Sequence, residues 1–270
     1  MTRHESERGA SPAGHGPDHF RVDYDPALLE EAVLLAVRER SKERQFRRER
    51  DPIYETPDSD AREARFRGFH RDWFLHLGLG NPVEQALNER PILAESTRRC
   101  LVAAAPGRKD ESAELFVSPP GEGLDDPERH SIGLMIRATS FLNAESLLLL
   151  LRHELLHIAD MLDPAFEYTP ESLLADDGDI RNSLLQERYR VMWDATIDGR
   201  LIRMGMAPAS RRSQRLADFA RTFSAFGERM EEVFSQFFDG SRHTHPELVA
   251  YARAPNEMLF SRGEHAGVQG

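Results

Sequence analysis

The sequence predicts an α+β protein dominated by helix. Three observations carry this expectation. Apolar residues recur at helical spacing near both ends of the chain. Three short segments of strand character, separated by turn residues, lie between them. A long leucine-rich helix follows the third of these at once. The order is helices, then a small sheet, then helices.

Residues 1–20 are polar, rich in Gly, Pro, Ser and His, and read as a disordered tail. They lack the apolar stretch of a secretory signal. A helix is expected from Pro26, where Leu28, Leu29, Val33, Leu34 and Val37 follow helical spacing. The charged run from Arg38 to Arg50 extends it as a solvated face, and residues 51–60, with two prolines, form a loop. A second helix covers Ala61 to Leu77 with an aromatic core face of Phe66, Phe69, Trp73 and Phe74. Gly78 and Gly80 stop it, and Pro82 opens a short helix to Asn88. Residues 21–94 are thus a helical N-terminal region.

Cys100–Ala105, Glu114–Ser118 and Ser131–Ala138 read as strands. The helix after the third has Asn143 at its N-cap and Glu145 in its first turn, runs through Leu147–Leu151, and ends before Pro164. A loop with Pro164, Pro170 and the run Asp176-Asp-Gly-Asp leads to a helix over Ile180–Met204. Residues 95–205 form the expected central core. After Pro208, helices over Arg212–Phe226, Glu228–Phe238 and Pro246–Ala252 fill the C-terminal region, 206–270.

Composition narrows the function classes. Of 270 residues, 40% are hydrophobic and 30% charged, as in a soluble globular protein. The net charge of −11 and pI near 5.5 argue against a nucleic-acid partner. The one cysteine, Cys100, permits neither an internal disulfide nor a metal site built on several thiolates, and reads as a small apolar strand residue. The longest apolar run, Leu147–Leu151, is far too short to span a bilayer. A cytoplasmic protein with no membrane partner is expected.

Residues 153–157 read His-Glu-Leu-Leu-His. Residues four apart share a helix face, so both imidazoles reach one metal ion. Glu154 follows the first ligand, where its carboxylate can take a proton from a metal-activated water as that water attacks a carbonyl, then pass it to the leaving amine. The bare pattern is only suggestive. Its place in a helix preceded by a strand, with both histidines among leucines, gives it weight.

His153-Glu154-Leu155-Leu156-His157 resembles the signature of the zincin metallopeptidases, over roughly residues 95–205. The resemblance implies a zincin-like core in which a sheet strand borders the substrate cleft, one zinc ion per chain, and a peptide or protein substrate. Catalytic zinc takes a third protein ligand. In the gluzincin branch a later helix carries a ligand glutamate with an aspartate four residues on, which orients one histidine. Trp193-Asp194-Ala195-Thr196-Ile197-Asp198 is similar, with Asp194 in place of the glutamate; Asp198 is itself a candidate ligand. A metzincin-like reading instead offers Asp163, but Asp160 stands where that branch needs the helix-ending glycine. Asp160 and Asp163 then become a supporting group and a helix-end residue, and Glu187 a solvated one. Tyr189, Arg190, His243 and His245 are candidates for stabilising the carbonyl oxyanion, each with a bland reading beside it: partial core, a helix salt bridge, and a surface loop for the two histidines.

The expected function is zinc-dependent amide hydrolysis, with Glu154 catalytic. The alternative is a zincin-fold regulatory or protein-binding module with structural zinc. A DNA-binding regulator, using Ser210-Arg-Arg-Ser-Gln-Arg, is disfavoured by the net acidity.

Overall fold

The computed structural model describes residues 20–118, 129–169 and 179–256. The expected disordered tail and the Pro170–Asp179 loop lie outside them, Phe20 and Asp179 apart. Among the described residues no helix is long and apolar enough to cross a membrane.

The first described element is a short strand, β1 (Arg21–Tyr24), inside the region expected to be helical. Four residues give too little periodicity to stand out from a polar neighbourhood; pairing with a later strand creates this one. Helix α1 (Pro26–Glu39) follows, with the Asp25 carboxylate accepting from the amides of Ala27 and Leu28 at 2.7 and 3.1 Å. Ser41, in left-handed backbone (φ 53°), interrupts the helix before α2 (Glu43–Arg50). The charged run is therefore two helices and not one. Helix α3 (Ser59–His76) is capped by Asp58 and stopped by Gly78, whose φ of +65° suits glycine. The short helices α4 (Asn81–Asn88) and α5 (Pro91–Ser96) complete the N-terminal region.

The sheet contains β1, β2 (Arg99–Ala104), β3 (Ser112–Val117) and β4 (His130–Ile136), in the order β1-β2-β4-β3. The β1–β2 and β2–β4 pairs are parallel, and β3 runs antiparallel to β4 at the sheet edge. Strand β4 lies between two neighbours, and Ser131 through Leu134 are all buried, as a central strand covered on both faces requires. Cys100 is buried in β2, in the role expected.

Helix α6 (Ala144–Leu162) carries the His-Glu-Leu-Leu-His motif and packs against α4, α5, β3 and α7 (Asp179–Arg203). Helices α8 (Arg211–Thr222), α9 (Met230–Phe238) and α10 (His245–Arg253) surround α7. One contiguous cluster of buried apolar side chains runs from Leu28 to Ala252. Within it α7 meets α9 so closely that a Cβ on Gly199 would lie 1.9 Å from the Phe238 carbonyl oxygen.

Candidate metal centre

The motif helix is set locally. The Asn143 side chain accepts from the Ser146 amide at 2.9 Å, and Glu145 occupies the first turn. Leu147, Leu151, Leu155 and Ile158 are buried and fix the rotation of α6. That rotation turns His153 and His157 together toward α7. Their rings lie 4.9 Å apart, and their Nε2 atoms 3.3 Å apart.

Helix α7 supplies the third group. Asp194 Oδ1 lies 3.1 Å from His157 Nε2 and 3.4 Å from His153 Nε2. The three atoms thus form a nearly equilateral triangle, and these residues together could hold a metal ion. Tetrahedral ligands at zinc bond lengths of about 2.0–2.2 Å are separated by roughly 3.3–3.6 Å. The triangle has the dimensions of one face of such a tetrahedron, and its donor set of two nitrogens and one oxygen fits a divalent transition metal.

Asp198, the other aspartate of α7, sits on the far nitrogen of the same imidazole, with Oδ1 2.8 Å from His153 Nδ1. A proton on Nδ1 held by this carboxylate leaves Nε2 with its lone pair free for a metal. The structure therefore separates the two candidate ligands: Asp194 joins the triangle and Asp198 stands behind His153.

Two arginines of α8 complete the arrangement. Arg215 donates to Asp198 Oδ2 from Nε at 2.8 Å and to Asp194 Oδ2 from Nη1 at 2.9 Å. Arg211 reaches Asp198 Oδ1 at 3.1 Å. Asp194 consequently presents one oxygen to the imidazoles and the other to Arg215. Burial disfavours a charged His153, but hydrogen bonds to Asp194 and Asp198 outweigh it and push the pKa up to about 9. For Asp194 burial acts upward, yet hydrogen bonds to His153 and His157 hold it well below the usual carboxylate range. The same opposition, with His153, Arg215 and Arg211 as partners, leaves Asp198 at about 2.

Sequence reasoning missed both arginines. It placed the basic segment 210–215 among possible phosphate contacts. Its arginines instead serve the fold: Arg211 and Arg215 hold the site carboxylates, and Arg212 pairs with Glu231 and Asp239. The i,i+4 spacing of Arg211 and Arg215 was the available signal, matching that of Asp194 and Asp198.

Trp193 walls the site, its ring 4.3 Å from that of His157 and perpendicular to it. Its Nε1 donates to Asp160 Oδ2 at 2.9 Å, and Asp160 also pairs with Arg200 and Arg242. Asp160 thus acts behind Trp193. Asp163 accepts from the Ala165 amide and pairs with Arg242, which leaves it as the helix-end residue. Glu187 is exposed on α7.

Glu154, half-buried, points toward the sheet edge, where its Oε2 accepts from the Ala113 amide of β3 at 3.4 Å. The other candidates are placed less directly. Tyr189 is buried, with its hydroxyl 2.7 Å from His245 Nδ1, and packs against Trp193. His245 is fully buried at the start of α10, with Nε2 3.0 Å from the Thr169 carbonyl. The expected surface loop is thus half wrong, because the Thr244 capping box folds His245 into the core. His243 is half-buried near the Gln236 carbonyl, and Arg190 is exposed.

Compared with known protein families, curated proteins and solved structures, the chain matches none of the three. The site's own geometry therefore carries the functional reading.

Proposed function

We propose that this chain is a zinc-dependent hydrolase of amide bonds, a peptidase of zincin type, in which His153, His157 and Asp194 hold the metal. The observation that carries the proposal is the triangle of His153 Nε2, His157 Nε2 and Asp194 Oδ1, with sides of 3.1–3.4 Å, its histidines on a helix in which Glu154 follows His153 directly. Zinc bound there supplies Lewis acidity to a substrate carbonyl and brings the pKa of a water toward neutrality.

The chain's own residues do the rest. The Glu154 carboxylate accepts the proton of the attacking water and delivers it to the leaving amine. Asp198 keeps the His153 proton on Nδ1 and fixes the ring. Arg215 holds the outer oxygen of Asp194 and limits it to one ligand oxygen. Strand β3 lies at the sheet edge next to Glu154, where an extended peptide can add its backbone hydrogen bonds. A purely structural zinc site has no use for a carboxylate in the position of Glu154, which favours the enzyme over a regulatory module of the same fold.

The test is a pair of variants screened against a peptide library, with metal content measured in parallel. Glu154→Gln keeps the metal and loses hydrolysis by at least ~10²-fold. His153→Ala loses the metal. Wild-type metal content in His153→Ala removes the metal assignment. Retention of zinc with no cleavage by the wild type favours the regulatory reading.

A further inference from the structure

A cavity of about 360 Å³ opens beside the motif helix, at Leu156, Ala159 and Asp160. Arg90, Arg200, Arg203 and Arg242 line it, and Asp160 and Asp163 are its acidic residues. Four positive against two negative charges leave an excess of two in a chain whose net charge is −11.

The pairing inside the cavity is uneven. Arg200 and Arg242 pair with Asp160, and Arg242 also pairs with Asp163. Among the described residues, Arg90 donates to neutral acceptors: the Glu89 carbonyl at 3.3 Å and the sulfurs of Met204 and Met206, both at 3.5 Å. Arg203 donates to the carbonyls of Phe238 and Gly240. Among the described residues, neither guanidinium has a carboxylate in hydrogen-bonding reach. The buried Nε of Arg200 has no acceptor among the described residues. Burial, with repulsion from Arg200 next, outweighs attraction from Glu89 and Asp160 and holds the Arg90 pKa below its ordinary value.

We propose that this cavity binds a small phosphate monoester, its phosphate held by Arg90 and Arg203. The monoester is close to a dianion at neutral pH and matches the excess of two charges, where a monocarboxylate neutralises half of it. Guanidinium forks suit the oxygens of a phosphate group. Ile92, Leu156 and Met204 give the cavity an apolar wall for a compact organic body, and its volume lies in the small-molecule range. The site shares no residue with the His–His–Asp triangle and stands independently of the metal.

Calorimetric titration of the full chain with phenyl phosphate, inorganic phosphate, benzoate and succinate at one fixed ionic strength tests this. Phenyl phosphate binds saturably, one per chain, and tightest of the four. Arg90→Met and Arg203→Gln each weaken it at least about tenfold, whereas Arg44→Met, on an exposed arginine of α2, leaves it unchanged. Two separate cavity variants guard against one of them failing to fold, which a thermal melt without ligand reveals. Absence of saturable binding by the wild type, or unchanged affinity in the folded cavity variants, overturns the site. Succinate binding as tightly as phenyl phosphate overturns the phosphate assignment.

Discussion

Asp198 Oδ1 lies 2.8 Å from His153 Nδ1, while Asp194, one helical turn earlier, faces His153 Nε2 at 3.4 Å. The two aspartates of α7 therefore bracket one imidazole and do different work on it.

Their substitution separates those roles. Asp194→Ala removes a donor atom of the triangle and abolishes zinc retention. Asp198→Ala leaves the triangle intact but frees the ring, and zinc affinity falls roughly 10–100-fold. Asp198→Asn, which still offers an oxygen to Nδ1, falls less. Asp163→Ala, whose side chain serves Arg242 and the Ala165 amide, retains wild-type affinity. Competition with a chromogenic chelator measures all four. A larger loss in Asp198→Ala than in Asp194→Ala would reverse the assignment.

Arg215 tests how the acidic pair tolerates burial. It touches both aspartates, and its side chain and that of Asp194 are each 16% exposed. Arg215→Met removes the cation shared by the two carboxylates, leaving Asp198 to Arg211 and His153, and Asp194 to the two imidazoles alone. In metal-free protein this destabilises the fold by about 3 kcal/mol, the scale for removing one partner of a buried pair. Zinc supplies positive charge to the same carboxylate, so it raises the melting temperature of the variant more than that of the wild type. Equal zinc-induced shifts in the two would show that Arg215 does not neutralise the site.

Much of this was legible in the sequence. The three strands, the motif helix with its Asn143 cap, and the α7 helix fall within a few residues of their expected places. Each has a local signal: short apolar runs bounded by turn residues for the strands, a capping residue and long apolar periodicity for the helices. The motif brought His153 and His157 together because helical spacing alone dictates it. The i,i+4 spacing of Asp194 and Asp198 put both on one face of α7, but not the direction that face takes, which depends on how α7 crosses α6. Arg211 and Arg215 were out of reach for the same reason. Their partners lie 13 to 21 residues away on a different helix, and no periodicity records that contact. The strand β1 escaped because its pairing with β2 spans the whole helical N-terminal region.

The junction of α4 and α6 gives a pH-dependent prediction. Arg152, next to His153, donates to both oxygens of Glu89 at 2.8 and 2.6 Å and to the Met206 carbonyl at 3.0 Å. The hydrogen bond from Arg152 holds the Glu89 carboxyl below its ordinary pKa. A depressed folded-state pKa means the stabilisation is present above the unfolded value and is lost as pH falls through the folded one. The pair is partly exposed, so its contribution is about 1 kcal/mol. Urea denaturation should find Glu89→Gln less stable than the wild type by that amount at neutral pH. The gap closes in acid, below the folded-state pKa. A gap that persists unchanged in acid would assign the effect to packing.

The contact between α7 and α9 yields the sharpest stability prediction. Gly199 follows Asp198 directly, and a Cβ there would meet the Phe238 backbone at 1.9 Å from the carbonyl oxygen and 2.8 Å from its carbon. Backbone atoms cannot rotate away as a side chain can, so the helices must separate. Overpacking of this kind costs about 3 kcal/mol or somewhat more. The separation also moves Asp198 relative to α6, and zinc affinity falls with stability although Gly199 touches no metal ligand. Gly68, within α3, supplies the contrast: a Cβ there meets nothing within 4 Å. Gly68→Ala gains up to about 1 kcal/mol from helix propensity. Chemical denaturation of the two alanine variants, with zinc affinity measured on each, checks the pair. A Gly199→Ala protein as stable as Gly68→Ala would mean that α7 and α9 do not approach as described, and the placement of Asp198 behind His153 would lose its support.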